Sequence, residues 1–411
     1  MNRLELYVFT YDFPFKGNDS KFIGDEIDFL SKKFKKINLI PLKVKNNKAR
    51  IKKNVFIDLD LNKEIFNLYN LIIKIFNIAI CKFFWKEILS IKSSNILQKI
   101  RIIIVERYLA ESIIFYIKKK NLKNNLAFYS IWSNHSLLAF YLLKKNHIIK
   151  NTFTRILGRD LKGFIPNDDF ICFKNLKFKS LNFALTLNNE QKNILVKNKL
   201  MKKSKIFKNY LGMKKYNFTN NKIIKNYINF ASCGSFIYVK NNIEILKFIN
   251  TFSINNPNKI INYYCIGSGC QKKLILEFAE RNFIQNNLNF VYIEKVPKLT
   301  NFLKSKNINF FINLSFSEGM SYAVMESLSC KIPVIASDIP GNKEIINKKN
   351  GYLVKNFNKK TYENISKQII NDLNFNIYNR KKKSCEIDFN KNILRSKNQT
   401  KLLKILKKNI N

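Results

Sequence analysis

Short apolar runs that read as strands alternate with segments of helical period, and this rhythm runs through the chain twice. In the first half RLELYVFTY opens as a strand and DFPFKGNDS is a loop broken by Pro14 and Gly17. KFIGDEIDFLSKKF then sets Phe22, Ile23, Ile27 and Leu30 on one helical face. INLIPLKV returns as a strand and completes a βαβ unit. LAFYSIWS (126–133), NTFTRIL and FALTLN (183–188) read as further strands, with HSLLAFYLLKK as a helix between the first two. The second half repeats the pattern. Strands are expected at YINFASCGSFI (227–237), KIINYYCIGSG (259–269), NFVYIEKV, NFFINLS (309–315) and IPVIASD (332–338), each separated from the next by a helical segment. Parallel strands need a crossover, usually a helix, so this alternation predicts an α/β chain with doubly wound parallel sheets.

The boundaries follow from where the rhythm stops. MKKYNFTNNKIIKN, residues 213–226, is polar and poor in core residues, and reads as a linker. The expected organisation is a first domain at 1–212, the linker, a second domain at 227–385, and a basic amphipathic helix at 386–411. A chain of 411 residues is long enough to bury two cores of this kind.

Charge is the other constraint. Lys and Arg number 74 against 28 acids, a formal net charge of +46. Two causes fit: a basic surface that meets anionic lipid or nucleic acid, or a compositional bias toward residues with A/T-rich codons. The charge is spread along the whole chain, and no nucleic-acid-binding motif accompanies it. The seven cysteines include no CxxC pair, so reduced thiols in a cytoplasmic protein are expected. The opening MNRLELYVFTY reads as a strand rather than a leader. No run reaches the ~18 uncharged apolar residues of a membrane span. The nearest, LIIKIFNIAICKFFWKEIL (71–89), is interrupted by Lys74, Lys82 and Lys86, and ILQKIRIIIVERYLAESIIFYI (96–117) follows it. Both are expected to be core helices, with a helix lying on a membrane surface as the alternative.

Chemistry concentrates at SFSEGMSYAVMESLSCKIPVIASDIPG, residues 315–341. The loop SFSEGM would lie at the carboxyl end of a parallel strand, where open α/β sheets bind ligands. Gly319 permits close backbone approach. Met320 and Ser321 open a helix, whose unpaired N–H groups and dipole favour an anion such as a phosphate. Glu318 would repel that anion, but a carboxylate accepts hydrogen bonds from neighbouring hydroxyls. Glu318 therefore suits a sugar beside the phosphate. Glu326, two positions from both Val324 and Leu328, suits a ribose diol. An anion site with two diol acceptors describes a nucleotide-sugar.

These residues resemble the donor-site signature of glycosyltransferase family 4, retaining enzymes of the GT-B fold. The family pattern places two Glu eight residues apart within S-x-S-E-G-x-P-x-x-x-x-E-A-x-x-x-G-x-P-V-I-A-(S/T)-D-x-x-G. Ser315, Ser317, Glu318, Gly319, Glu326, Pro333, Val334, Ile335, Ala336, Ser337, Asp338 and Gly341 match it. SCGSFIYVKN (232–241), IGSG (266–269) and NGYLV (350–354) extend the likeness. FPFKGNDSKFIGDEIDFLSKKF, FYSIW (128–132) and TRILGRDL (154–161) resemble bacterial polysaccharide and lipopolysaccharide members. The pattern is broken at Ser321 (usually Pro), Cys330 (usually Gly), Ser235 (usually a phosphate-binding Arg) and Leu157 (usually His).

The resemblance implies two Rossmann-like domains facing across a cleft, with the final helix crossing back to the first domain. It implies Lys240 and Glu318 as catalytic residues. Donor contacts would come from Gly234, Ser235, Lys240, Gly267, Glu318, Gly319, Met320, Ser321 and Glu326. Gly17, His135, Arg155 and Asp160 would lie on the acceptor side. No metal or cofactor is implied, since the nucleotide-sugar is a co-substrate. The implied partners are that donor, a saccharide or lipid-linked acceptor and an anionic membrane surface, not nucleic acid. The implied location is cytoplasmic, peripheral on the inner membrane. Ser235 and Leu157 leave a second reading, a nucleotide-sugar-binding protein without turnover. A basic nucleic-acid-binding protein is a third, resting on charge alone.

Overall fold

The computed structural model describes residues 4–15, 20–45, 51–91, 95–123, 125–132, 135–157, 160–161, 170–216 and 226–410. By its contacts the chain divides into one unit of residues 1–211 with 399–411 and a second of residues 212–398. The second division falls at 398/399 rather than at 385/386. Each unit is built on one parallel sheet.

The first sheet has seven strands: β1 (Glu5–Thr10), β2 (Lys36–Pro41), β3 (Val55–Ile57), β4 (Ala127–Ile131), β5 (Asn151–Arg155), β6 (Phe183–Thr186) and β7 (Ile206–Lys208). Their order is β3-β2-β1-β4-β5-β6-β7, and every pair is parallel. Helices cover both faces, so β1, β4 and β5 are buried almost throughout and read as continuous apolar or small-polar runs rather than alternating ones. β3 and β7, three residues each, were not expected from the sequence.

Register shapes the core of this unit. Tyr129, Phe153 and Phe183 are direct partners across β4, β5 and β6. Their rings stack at centroid spacings of 4.4 and 4.7 Å. Two residues beyond Phe153, on the same side of the strand, stands Arg155. It is fully buried, and it donates to Glu26 Oε2 at 2.5 Å, to Tyr129 Oη at 3.1 Å and to the Asn209 carbonyl at 2.7 Å. Glu26 comes from the helix Ser20–Leu30 and also accepts from Tyr129 Oη at 2.5 Å. A buried guanidinium is tolerable only when its donors are met, and here protein groups meet them.

The second sheet has six strands: β8 (Tyr227–Cys233), β9 (Ile260–Ile266), β10 (Leu288–Ile293), β11 (Phe310–Asn313), β12 (Val334–Ser337) and β13 (Gly351–Val354). The order β10-β9-β8-β11-β12-β13 is again all parallel. The expected doubly wound architecture is therefore present in both units.

Two regions differ from expectation. The C-terminal segment is not one helix. A helix at Phe375–Asp388 runs through a π turn, Phe389–Ile393, and a second helix follows at Arg395–Asn409. The helix Tyr69–Ala79, expected to be core, is instead exposed along its apolar side. Ile72 is 77% and Phe76 62% exposed, while Lys74 on the same helix is fully buried. No helix among the described residues is long and apolar enough to cross a membrane.

The Arg155 network predicts a specific sensitivity. Glu26→Ala strands a buried guanidinium and should cost about 3–5 kcal/mol of stability. Tyr129→Phe removes one hydrogen bond and keeps the ring stack, at about 1 kcal/mol. Urea unfolding of the two variants checks the ranking.

Candidate functional site

In both sheets the strand numbering reverses direction once. In the second sheet this happens between β8 and β11, which pair directly, Phe310 with Phe230 and Phe311 with Ala231. The loops leaving these strands then run in opposite directions and leave a crevice at their carboxyl ends, the usual ligand position in such sheets. Gly234, Ser235 and Lys240 follow β8; Glu318, Gly319, Met320 and Ser321 follow β11.

The two loops are tied together. Phe316 N–H donates to the Val239 carbonyl at 2.9 Å, and Asn241 Nδ2 donates to the Leu314 carbonyl at 3.2 Å. The rings of Tyr238 and Phe316 lie 5.2 Å apart. Asn241 makes the turn from the 3-10 segment Tyr238–Lys240 into the helix Asn242–Asn255 with φ of 53°, a left-handed conformation that Asn tolerates.

This brings Lys240 to Glu318. The ammonium lies 2.6 Å from Glu318 Oε1, and the same oxygen accepts from Ser315 Oγ at 2.8 Å. Lys240 keeps about a quarter of its side chain exposed, and Glu318 about a tenth. The carboxylate is thus fixed from two sides. Ser315 belongs to the 315–341 pattern but was not among the expected contacts; its signal was its place three residues before Glu318.

Support comes from β12 and the turn after it. Ser337 Oγ donates to the Ser315 carbonyl at 2.6 Å. Asn342 Nδ2 donates to the Ser337 carbonyl at 3.1 Å. Gly341 lies so close beneath the loop that a Cβ there would stand 2.3 Å from the Glu318 carbonyl oxygen. Gly267, at the end of β9, has φ of +151°, and a Cβ there would stand 1.9 Å from the Gly234 carbonyl. Its requirement for glycine is therefore backbone packing under the Gly234 loop. Gly234 itself faces open space.

Ser321 is the N-cap of the helix Tyr322–Ser329, and its side chain makes no capping bond. Glu326 lies on this helix, half-buried between the fully buried Val324 and Leu328. Cys330 caps the far end, and burial pushes its thiol up to about 12. It is therefore a poor nucleophile. All seven cysteines are free thiols.

The resemblance assigns four residues to the acceptor side. Gly17 lies outside the described residues. His135 opens the helix His135–Lys145 after β4. Arg155 has no exposed surface and directs its guanidinium into the Glu26 network, so its contacts here are structural. Asp160 is also buried, and its Oδ2 accepts the Leu157 N–H at 2.8 Å.

The sequence family described as "Glycosyl transferases group 1" matches residues 214–384, which include the whole β8–β11 site. Protein CapJ of Staphylococcus aureus is 30% identical over 140 residues, 34% of each chain. Glycosyltransferase 1 domain-containing protein 1 of Xenopus tropicalis is 54% identical over 35 residues, 8% of this chain and 10% of the relative. The chain thus spans about a third and a tenth of these relatives. Among solved structures, S. aureus TarM in a complex containing UDP superposes with a TM-score of 0.67 at 12% identity, over 98% of this chain and 99% of that one. The lipopolysaccharide outer core galactosyltransferase WaaB gives 0.68 at 12% identity, over 98% and 99%. Anabaena HepE with UDP and glucose gives 0.64 at 10% identity, over 99% and 100%. At such identities the likeness carries the fold, and that fold is the two-domain GT-B architecture.

The close packing under Glu318 can be tested by adding one methyl group. Gly341→Ala must push the Glu318–Gly319 backbone and should cost about 1–3 kcal/mol. Gly234→Ala meets nothing and should change stability by less than about 0.5 kcal/mol. Chemical denaturation of both variants measures the difference.

Proposed function

We propose that this chain is a retaining glycosyltransferase that moves a sugar from a nucleotide-sugar to a saccharide acceptor. The observation that carries the proposal is the Lys240–Glu318 pair, set at the carboxyl-end crevice of the second sheet beside a helix start without a side-chain cap. A cation and the positive end of a helix dipole suit a diphosphate. A carboxylate already held by Ser315 and Lys240 suits the hydroxyls of the attached sugar. Glu326 is proposed for the ribose diol, and Gly234, Ser235 and Gly267 for the surrounding donor pocket. The family match over 214–384 and the UDP in the complexes of similar fold support the same donor class.

The chemistry needs no protein nucleophile. The bond between the sugar C1 and the diphosphate oxygen breaks, and the diphosphate takes the electron pair. An acceptor hydroxyl forms the new C1–O bond on the same face and passes its proton to the departing phosphate oxygen. Charge builds on the diphosphate, so the protein's task is electrostatic. Lys240 and the amides of Gly319, Met320 and Ser321 are proposed to meet that charge. The ion pair with Glu318 holds the Lys240 ammonium at this end of the sheet.

The acceptor is proposed to be a lipid-linked saccharide of surface polysaccharide or lipopolysaccharide synthesis, handled by the first unit. Donor binding without turnover is the second reading, favoured by the exposed Ser235 where a phosphate-binding Arg is usual and by the buried Leu157.

A thermal-shift panel of nucleotide-sugars is the first test. One member at a hundred times its Kd should stabilise the protein by about 2.7 kcal/mol, and Glu318→Ala should abolish the shift. If no member shifts the wild type, the donor assignment fails. For turnover, Lys240→Ala should lower kcat by about 10²–10³-fold with a smaller change in KM. A wild type that binds donor but neither transfers nor hydrolyses it establishes the second reading.

A further inference from the structure

We propose that Asn313, the last residue of β11, is a positioning residue. Its amide takes over the Glu318 carboxylate when the Lys240 ammonium turns to a bound diphosphate. The inference rests on the donor reading of this crevice and adds a residue to it.

Asn313 interrupts an apolar strand. Phe310, Phe311 and Ile312 before it and Leu314 after it are all buried. Alternation puts Asn313 on the same face of the sheet as Phe311, which shares a core cluster with Val324 and Leu328 of the helix Tyr322–Ser329. Asn313 is itself buried, and a buried amide is costly unless its polar atoms are met. Its Nδ2 lies 3.5 Å from Glu318 Oε1 and 3.5 Å from Ser321 Oγ. Asn342 Nδ2 lies 3.4 Å from its Oδ1. One side chain thus touches the carboxylate, the helix start and the turn after β12. Each contact is longer than the usual range of about 2.7–3.2 Å. The amide is loosely met, a state that suits a group whose full partner is still to come.

Crowding at one oxygen explains the long contact to Glu318. Oε1 already accepts from Lys240 at 2.6 Å and from Ser315 at 2.8 Å. A carboxylate oxygen offers about two lone pairs, so a third donor is held off. Among the described residues no donor reaches Oε2, which leaves that oxygen for a ligand hydroxyl. A diphosphate carries more negative charge than a carboxylate and draws the Lys240 ammonium toward itself. Oε1 then loses its shortest bond, and the arriving negative charge repels the carboxylate. Ser315 remains, and the Asn313 amide can close on the freed lone pair. Asn313 pairs with Ala336 of β12, so the sheet rather than the ligand sets its position. Without this amide Glu318 has no replacement for the ammonium and competes with the diphosphate for it.

Calorimetric titration of the full-length chain with UDP, GDP, ADP and dTDP tests the assignment, and the tightest of these carries the comparison. The wild type is set against Asn313→Leu, Lys240→Met and the double variant. Asn313→Leu should weaken binding by about tenfold, the effect of one hydrogen bond to a charged group. With Lys240→Met no ammonium is exchanged, so the same change should then weaken binding by less than about twofold. Leucine suits the apolar neighbours of the site. Asn313→Ser, too short to reach Glu318 and too small to overpack, should show the same pattern and replaces the leucine variant if that one does not fold. The inference is overturned, and the donor reading kept, if the wild type binds a diphosphate and the Asn313 variants bind it equally well. Equal losses with and without Lys240 make Asn313 a packing residue and overturn the inference too. A wild type that binds none of the diphosphates at millimolar concentration overturns it together with the donor reading.

Discussion

The second unit depends on the hydrogen-bonded pairing of β8 with β11. These strands are about eighty residues apart in the chain, and the crossover through β9 and β10 places them side by side. Once they pair, their outgoing loops must diverge over the same end of the sheet. Lys240 and Glu318 then meet at 2.6 Å because their loops are laced by backbone and side-chain hydrogen bonds, not because either residue seeks the other. Gly267 and Gly341 permit this from below. Each lies where a Cβ would collide with a backbone carbonyl of the loop it supports. The site is thus a property of backbone spacing first and of side chains second.

The first unit uses the same topology with a different internal economy. Its β4–β6 face is an aromatic ladder that ends in a buried Arg–Glu–Tyr network. Beyond the sheet its added helices bury lysines and a glutamate–arginine pair while turning isoleucine, phenylalanine and tryptophan outward. One polar cluster holds a core together; the other holds up a face that is apolar on the outside. Both follow from the rule that a buried charge must find a partner.

Several elements could be read in the sequence because their periodicity was long enough. The strands that end at Thr10, Cys233, Ile266, Asn313 and Ser337 were legible as apolar runs that end in loops. The helices between them showed a 3.6-residue period. β3 and β7 were not legible, since three residues cannot display a period. The single C-terminal helix expected at 386–411 is two helices joined by a π turn, and nothing in the spacing of Ile393, Leu394 and Leu402 distinguishes the two cases.

The sequence by itself determined the strand–helix rhythm and the pattern at 315–341 that sets Glu318 beside Gly319 and Glu326 eight residues on. Those are local properties, written in neighbouring residues. Only the tertiary structure decided which distant groups meet: Lys240 with Glu318, Arg155 with Glu26, Lys74 with Glu64. It also decided which side of the 66–105 helices faces out. Hydrophobic periodicity identifies a helix face but not what covers it. A lysine in an apolar stretch looks like a break in a buried face until the chain folds and supplies its carboxylate.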